Sequence, residues 1–236
     1  PNNVERLYYD GLLKISAKGN GLDNRIVGGN GNDVFLVDAG GADEFIGGTG
    51  TDTMDFRLSV IGATVNLATG VHGGAAAGDS FASVETFIGS STASDSFTGG
   101  TAAVSLNGDG GSDTLNGSSK ADLLNGGDGT DVLSGKAGAD TLLGGRGNDQ
   151  QSGGSGADIF WFTTPTASGG FGNDTISDYQ DGLDKIRFAL QVATGTGDFT
   201  ITQNNATQVT IAMAEGTIVV QSASAFTLTA SDFIFG

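Results

Sequence analysis

Residues 108–161 read GDGGSDTLN GSSKADLLN GGDGTDVLS GKAGADTLL GGRGNDQQS GGSGADIFW, which is six blocks of nine residues without a gap. Each block begins with Gly and has Asp at its sixth position. The eighth position is apolar in every block but one, where it is Gln151. A short repeat of fixed period indicates a solenoid, in which each unit stacks on its neighbours.

The composition of each block predicts a sharp turn followed by a very short strand. Glycine adopts the positive φ angles that such a turn needs without a Cβ penalty. The last three residues can form only a minimal strand, whose middle side chain points to one face. Two blocks therefore complete one flattened turn of a coil, and blocks two apart stack. We expect one edge of the coil to carry Asp113, Asp131 and Asp149, and the other to carry Asp122, Asp140 and Asp158.

Blocks of the same kind occur on both sides of this run. They lie at residues 19–27, 28–36, 38–46, 47–55, 90–98, 99–107 and 169–177. Position six is Asn24 in the first of these and Val104 in the last block before the run, so the latter site should be absent or weak. The other blocks add Asp33, Asp43, Asp52, Asp95 and Asp174 at position six. The inward position-eight residues of the first four blocks are Ile26, Phe35, Phe45 and Met54.

The order of these blocks predicts the fold class and the domain organisation. We expect an all-β chain: a right-handed parallel β-roll (a β-solenoid) with a C-terminal β cap. Residues 1–55 should hold leading strands and a first β-roll block, and 56–89 a β excursion with two strand-like runs. Residues 90–177 should form the second β-roll block. The polar, alternating segments of 178–236 should form the cap, because the last coil of a solenoid needs a polar cover.

Such a roll is predicted to require a bound cation. Burying one Leu per block contributes about 2–3 kcal/mol, whereas ordering nine residues costs about 1–2 kcal/mol each in backbone entropy. Stacked carboxylates add repulsion, which a hard divalent cation between successive loops would remove. Ca²⁺ accepts six to eight oxygen ligands in flexible geometry, whereas Mg²⁺ resists this dehydration. The position-six residues, including Asn24, are therefore candidate calcium ligands, with about five to ten ions in all.

Composition excludes several other functions. The net charge of −17 disfavours nucleic acid and anionic membranes as partners. The absence of Cys removes disulfides, thiolate metal sites and Cys nucleophiles. No stretch is apolar enough to span a bilayer. His72, the only histidine, lies in a Gly/Ala-rich loop, and we find no catalytic constellation, so we expect the chain not to be an enzyme. Its opening, PNNVERLYYDG, is typical of a strand rather than a leader and suggests part of a longer protein.

The nonapeptides, the DYQDGLDKI segment at 178–186 and the closing SDFIFG together resemble the C-terminal region of RTX proteins, as in serralysin-type proteases, haemolysins and lipases. The resemblance implies a parallel β-roll and a C-terminal signal read by a type I secretion apparatus. It implies export in an unfolded state and folding outside, where calcium is abundant, so the location would be extracellular or the bacterial cell surface. Extracellular calcium modules bind at about 10⁻⁴–10⁻³ M.

The resemblance also implies carbonyl ligands at positions two and four of each loop. In this sequence those positions give Gly29, Gly31, Gly48, Gly50, Gly111, Gly127, Gly129, Gly138, Gly145, Gly147, Gly154, Gly156, Gly170 and Gly172. Ser118 and Lys136 occupy position two in their blocks, and a carbonyl ligand should tolerate both.

Three functions stay open at this point. The first is a secreted calcium-binding module that supports type I secretion of a larger protein. The second is a structural module of a surface layer or adhesin, in which calcium supports self-assembly. The third is the non-catalytic C-terminal part of a secreted hydrolase or alginate epimerase, which could contact a cell-surface polysaccharide. Asp178, Asp181 and Asp184 do not fit an EF-hand loop. One further calcium there stays open as the alternative, but we expect a turn with an ion pair to Lys185 or Arg187.

Overall fold

The computed structural model describes residues 6–37, 40–163, 170–189, 193 and 195–236, and it confirms the predicted all-β parallel β-roll with its C-terminal β cap. The predictions that fall on residues 1–5, Asp38 and Gly169 lie outside the described residues. Two short 3₁₀ turns, Thr196–Asp198 and Ala230–Asp232, are the helical elements of the described chain, and no helix in it is long and apolar enough to cross a membrane.

The strands are short, because each nine-residue block leaves only a few residues for a strand after its turn. In chain order they are β1 Arg6–Tyr8, β2 Ser16–Lys18, β3 Arg25–Asn30, β4 Val34–Leu36, β5 Glu44–Thr49, β6 Thr53–Asp55, β7 Ala63–Asn66, β8 Gly73–Gly74, β9 Ser80–Ala82, β10 Thr86–Ile88, β11 Ser96–Thr98, β12 Ser105–Asn107, β13 Thr114–Asn116, β14 Leu123–Asp128, β15 Val132–Ser134, β16 Thr141–Arg146, β17 Gln150–Ser152, β18 Ile159–Phe162, β19 Gly172–Ile176, β20 Lys185–Phe188, β21 Thr200–Asn205, β22 Gln208–Met213, β23 Gly216–Gln221 and β24 Phe233–Phe235.

The strands form three sheets. One sheet of ten strands has the order β2-β4-β6-β10-β12-β14-β16-β18-β20-β24 and is parallel throughout. The alternate strands form a four-stranded sheet, β1-β3-β5-β9, and a second ten-stranded sheet, β21-β22-β23-β19-β17-β15-β13-β11-β7-β8. Successive strands of the repeat therefore alternate between sheets, as a two-sided roll requires.

The register confirms that blocks two apart stack. Leu115 pairs with Leu133 on one side, and Leu124 pairs with Leu142 on the other. Because the pairing step equals two repeats, each position-eight side chain meets its equivalent in the next coil. The position-eight residues are buried: Ile26, Phe35, Phe45, Met54, Phe97, Leu106, Leu115, Leu124, Leu133, Leu142, Gln151, Phe160 and Ile176. The polar exception, Gln151, is fully buried between Leu133 and Ile176.

Residues 56–89 continue the roll on one side and interrupt it on the other. β10 stacks between β6 and β12, so the all-parallel sheet passes through without a break. On the other side, β9 ends the four-stranded sheet against β5, whereas β7 lies against β11 in the next sheet and the two-residue β8 forms its edge. Phe81 and Phe56 pack edge to face in this region, with ring centroids 6.4 Å apart.

The C-terminal segment covers the last coils with regular strands. β23 continues one sheet in parallel with β19, and β22 and β21 add to it as antiparallel strands. β24 continues the other sheet beside β20. The predicted ion pair within residues 178–187 is wrong: Lys185 lies 3.9 Å from Asp232, and Arg187 lies over the Trp161 ring, 4.4 Å from its centroid. Asp232 belongs to the cap and Trp161 to β18, so neither partner comes from the local turn.

Candidate metal sites along the edges of the roll

The position-six aspartates form hydrogen-bonded columns along the edges of the roll. In one column the backbone N–H of Asp113 donates to Oδ1 of Asp131 (2.7 Å), and the N–H of Asp131 donates to Oδ1 of Asp149 (2.9 Å). In the other, Asp122 donates to Asp140 (2.8 Å), and Asp140 to Asp158 (2.9 Å). Each carboxylate thus uses one oxygen to bind the coil that precedes it.

The second carboxylate oxygen of most of these residues has no hydrogen-bond donor among the described residues, although it is buried. This is true of Oδ2 in Asp33, Asp52, Asp113, Asp131, Asp140, Asp149, Asp158 and Asp174. The eight side chains are at most 1% exposed. A buried oxygen that accepts no hydrogen bond costs about 1–3 kcal/mol, and more when it is charged. A repeated feature of this cost indicates a missing partner of positive charge.

Glycines shape the space around that oxygen. A Cβ on Gly126 would collide with Oδ2 of Asp131, and a Cβ on Gly129 would collide with the carbonyl oxygen of Gly111 in the preceding coil. Gly129 also has a φ of 153°, which an L-residue rarely adopts. The loop therefore holds carboxylate and carbonyl oxygens in a cradle that any side chain would fill. Glycine is needed here for space as well as for conformation.

Burial makes the charged form of these carboxylates unfavourable. Removal from water raises the pKa of Asp113 and that of Asp149 to about 7, and the pKa of Asp174 to about 8. Repulsion from the stacked Asp131 carboxylate raises the pKa of Asp113 and of Asp149 further. Hydrogen bonds from backbone N–H groups act in the opposite direction but are weaker. A bound cation would favour the ionised form at every one of these positions.

The predicted carbonyl positions are brought into register with one another. Gly127 pairs with Gly145, and Gly29 pairs with Gly48, in neighbouring strands. Gly172 pairs instead with Gly216 of the cap, and Gly170 lies against Glu215, so the last repeat faces the cap rather than another repeat. Positive φ angles mark the loop glycines at positions two and four: Gly29, Gly31, Gly48, Gly50, Gly111, Gly127, Gly129, Gly138, Gly145, Gly147, Gly154, Gly156 and Gly172.

The columns also contain acidic residues that the repeat pattern did not identify. Asp43 donates its N–H to Oδ1 of Asp79 (3.0 Å), Asp52 donates to Oε2 of Glu85 (2.9 Å), and Asp158 donates to Oδ1 of Asp184 (3.0 Å). Each of the three acids stands two residues before a buried or partly buried apolar side chain in a short strand. That shorter signature could have found them without the glycines.

Two position-six residues that depart from the pattern occupy the column without a carboxylate. Asn24 donates its N–H to Oδ1 of Asp43 (2.7 Å), and its side-chain amide donates to the carbonyl of Leu22 within its own loop. Val104 donates its N–H to Oδ1 of Asp122 (2.8 Å), but its buried side chain is apolar. The column of hydrogen bonds from N–H groups to carboxylates is therefore interrupted at Val104, which donates to Asp122 but offers no acceptor of its own.

The described residues fit a hard cation. The eight aspartates named above would supply carboxylate oxygens, and the carbonyls of the loop glycines would supply neutral ones. Both are the ligand types that Ca²⁺ prefers, in numbers that suit its flexible coordination. No group of three or more His, Cys, Asp or Glu side chains lies close enough together in the described chain to hold a metal by side chains alone. Each coil contributes at most one position-six carboxylate per edge, so backbone oxygens must complete any such site.

The fold and these loops define a class of protein, a parallel β-roll with calcium-type loops along its edges. Residues 18–54, 90–124 and 125–160 match the family model of the RTX calcium-binding nonapeptide repeat. No curated protein sequence matches the chain. Among solved structures, the crystal structure of extracellular lipase LipA from Serratia marcescens matches 96% of this chain and 39% of its own, at 19% identity and a TM-score of 0.32. The chain thus spans well under half of that lipase.

Proposed function

We propose that this chain is a secreted calcium-binding β-roll module, which folds when calcium binds outside the cell and supports type I secretion of a larger protein. The observation that carries this proposal is the set of eight buried aspartates, each with one carboxylate oxygen that lacks a donor among the described residues. These oxygens recur at the period of the coil. A cation at each of them would act on the whole length of the roll.

The loops explain why calcium would control folding. Bound calcium would neutralise the stacked carboxylates and use the free Oδ2 atoms as ligands. The chain itself holds Oδ1 of each Asp on the N–H of the preceding coil, which fixes the direction of Oδ2. The unfolded chain has no such arrangement, so the free energy of ion binding becomes free energy of folding.

The link to secretion rests on the calcium concentrations inside and outside a cell. Extracellular calcium modules bind at about 10⁻⁴–10⁻³ M, so such a roll would stay unfolded in a calcium-poor cytosol and fold after export. The net charge of −17 would keep the unfolded chain soluble during passage. The cap, which covers the last coil through β23 and β24, would end the folded roll and carry the export signal.

We further propose that this part of the protein is not catalytic. The Nδ1 atom of His72 accepts the N–H of Asn66 (3.1 Å), and its ring packs on Phe81 with centroids 5.0 Å apart. Burial also lowers the pKa of His72. These contacts hold the imidazole between the loop and the core, which is a structural role. Any activity of the full protein would then belong to another region of it.

A calcium titration tests the proposal. The chain, stripped of metal, is titrated with CaCl₂ while far-UV circular dichroism and isothermal calorimetry are recorded, with MgCl₂ as the matched control. We expect strand content and compactness to rise with calcium and not with magnesium, and excess EGTA to reverse the change. A chain that is equally β-rich in EGTA and in calcium would contradict the proposal. Export through a type I apparatus with and without residues 178–236 tests the secretion role separately.

A further inference from the structure

Three aspartates of the columns differ from the rest because both of their carboxylate oxygens accept hydrogen bonds. Oδ2 of Asp95 accepts the N–H of Ser90 (2.8 Å), and Oδ2 of Asp122 accepts the N–H of Ser118 (2.5 Å). Oδ2 of Asp184 accepts the N–H of Gln180 in the same way (2.8 Å). These three loops satisfy the oxygen that the other eight leave without a donor in the described chain. We call them closed loops, and we call the loops of the eight aspartates whose Oδ2 is buried without such a donor open loops.

The two serines close their loops with the hydroxyl as well as the backbone. Ser118 Oγ lies 3.1 Å from Oδ1 of Asp122 and accepts the N–H of Lys120 (3.0 Å). Ser90 Oγ lies 3.1 Å from Oδ2 of Asp95 and accepts the N–H of Ala93 (3.1 Å). Serine forms such local turns with neighbouring backbone groups readily. Each hydroxyl therefore contacts the carboxylate and also accepts a backbone N–H of the turn.

The presence of a side chain at this position does not by itself close a loop. Lys136 holds the same place in its block as Ser118, yet it adopts a φ of 76°, and Oδ2 of Asp140 in its loop has no donor among the described residues. Ser118 is not among the residues with positive φ in the described chain. In the Ser118 loop the hydroxyl stabilises the alternative turn by accepting the N–H of Lys120, which a lysine side chain at this position cannot do.

The loop of Asp95 shows a further irregularity. Ile88 pairs with Asn107, a step of nineteen residues, whereas the N–H of Asp95 donates to Asp113, a step of eighteen. The loop before Asp95 thus contains one extra residue, and Gly89, rather than Ser90, packs against its carboxylate. Ser90 therefore follows the packed glycine, as Ser118 follows Gly117. The two serines occupy equivalent places in three dimensions although the nine-residue pattern places them differently.

The closed loops stand at the ends of the open ones. In one column Asp95 is closed, and the open residues Asp113, Asp131, Asp149 and Asp174 follow it. In the other, Asp122 follows the apolar Val104, the open residues Asp140 and Asp158 come next, and the closed Asp184 ends the series. Closed loops therefore bound each uninterrupted series of open loops after residue 90, apart from the end that Asp174 presents to the cap.

We propose that Ser90 and Ser118 determine where calcium binding begins in each column after residue 90, because they occupy Oδ2 of Asp95 and Asp122 with the loop's own donors. These two loops take no ion at Oδ2, and the open loops that follow them do. This inference rests on the proposed calcium function and refines it. It assigns the serines a role in selecting sites rather than in binding.

The chain offers its own design for a test. The Ser118→Gly/Lys120→Gly double variant changes loop 117–122 from GSSKAD to GGSGAD, which is the sequence of residues 153–158, where Asp158 is open. At saturating calcium, equilibrium dialysis with metal analysis should find one more ion per chain in the double variant than in the wild type. Ser119→Gly is the matched control, because Ser119 is exposed in the same loop, and it should leave the number unchanged.

A second measurement does not depend on the variant folding. In crystals of the calcium-loaded wild-type chain, anomalous scattering should locate ions at Oδ2 of Asp131 and Asp140 and none at Oδ2 of Asp95 or Asp122. An ion at either of the latter, or an unchanged ion number in the folded double variant, would overturn the inference while leaving the calcium function in place. A wild-type chain that binds no calcium at all would overturn both.

Discussion

The first part of the roll, residues 26–97, and the second part, residues 106–151, share one architecture but are held together differently. The first part has an aromatic interior, in which Phe35 and Phe45 lie with ring centroids 5.5 Å apart and Phe87 and Phe97 lie 6.2 Å apart. The second part has one leucine per block and the buried amide of Gln151. An aromatic side chain buries more apolar surface than a leucine and adds ring–ring contacts worth about 0.5–1.5 kcal/mol each.

The distribution of open carboxylates is the reverse of the distribution of aromatic side chains. The first part contains two open aspartates, Asp33 and Asp52, whereas the second contains Asp113, Asp131, Asp140 and Asp149. The same coil can therefore draw on apolar burial in one region and on a cation in the other. We expect the second part, with small core side chains and repelling charges, to depend on a bound cation more strongly.

Removal of calcium should separate the two parts, and this is the largest effect we expect. In excess EGTA, hydrogen exchange measured by mass spectrometry should show that the amides of residues 106–151 lose nearly all protection. Those of residues 26–97 should retain more, because their aromatic core is independent of the ion. Saturating calcium should restore protection to both. Equal loss in the two parts would mean that the aromatic core adds nothing to the metal-free state.

The second largest effect should come from pH, which should change the stability of the second part. Burial raises the pKa of Asp113 and Asp149 to about 7 and the pKa of Asp131 and Asp140 to about 6, above the ordinary value of 3.8. The folded, metal-free roll therefore holds protons more tightly than the unfolded chain. Its stability is greatest below about pH 4 and falls as the pH rises through about 4 to 7.

Two measurements check this sign. In EGTA, lowering the pH from 8 to 5 should increase the exchange protection of residues 106–151. In calcium, the same change should weaken binding, by about tenfold per pH unit for each proton that an ion displaces. Calorimetry in buffers of different ionisation enthalpy counts those protons. A calcium affinity that does not change between pH 5 and 8 would contradict the raised pKa values.

Substitution of single aspartates should distinguish open from closed loops. In calcium, Asp131→Ala should lower the free energy of unfolding by about 2–3 kcal/mol, because it removes a ligand and the acceptor of the Asp113 N–H. In EGTA the loss should be smaller, since the variant also removes a buried charge. In calcium, Asp95→Ala should lower the free energy of unfolding by less than Asp131→Ala does. The loss in Asp95→Ala should be the same in calcium and in EGTA. Urea unfolding of the wild type and of the two variants measures these changes. Asp128→Ala, at an exposed position, is the control.

Gln151→Leu should have the smallest effect and the opposite sign. Neither atom of the Gln151 amide has a hydrogen-bond partner in the described chain, and the side chain is buried in a column of apolar residues. Leucine has a similar size and no polar group, so the variant should raise the free energy of unfolding by about 1–3 kcal/mol. Exposed Gln150→Leu should change it by less than about 0.5 kcal/mol. A lower free energy of unfolding in Gln151→Leu would show instead that the amide stabilises the fold.

The repeat allowed much of the architecture to be predicted. Asp131 could be placed between Asp113 and Asp149, and Leu133 between Leu115 and Gln151, because a constant number of residues per coil brings equivalent positions together. The prediction failed where the chain leaves that period. Asp79, Glu85 and Asp184 join the columns from segments without the glycine loop, and Lys185 finds its partner Asp232 in the cap.

The sequence by itself determined the coil, its two edges and the identity of the buried column, because covalent spacing and side-chain alternation act locally and repeat. Only the tertiary structure decided which carboxylates keep an oxygen without a donor in the described chain. That outcome depends on whether the backbone of one loop turns its own N–H toward the aspartate, as at Ser118, or away from it, as at Lys136. Two conformations of one short loop differ by a few hydrogen bonds, which the nine-residue period does not specify.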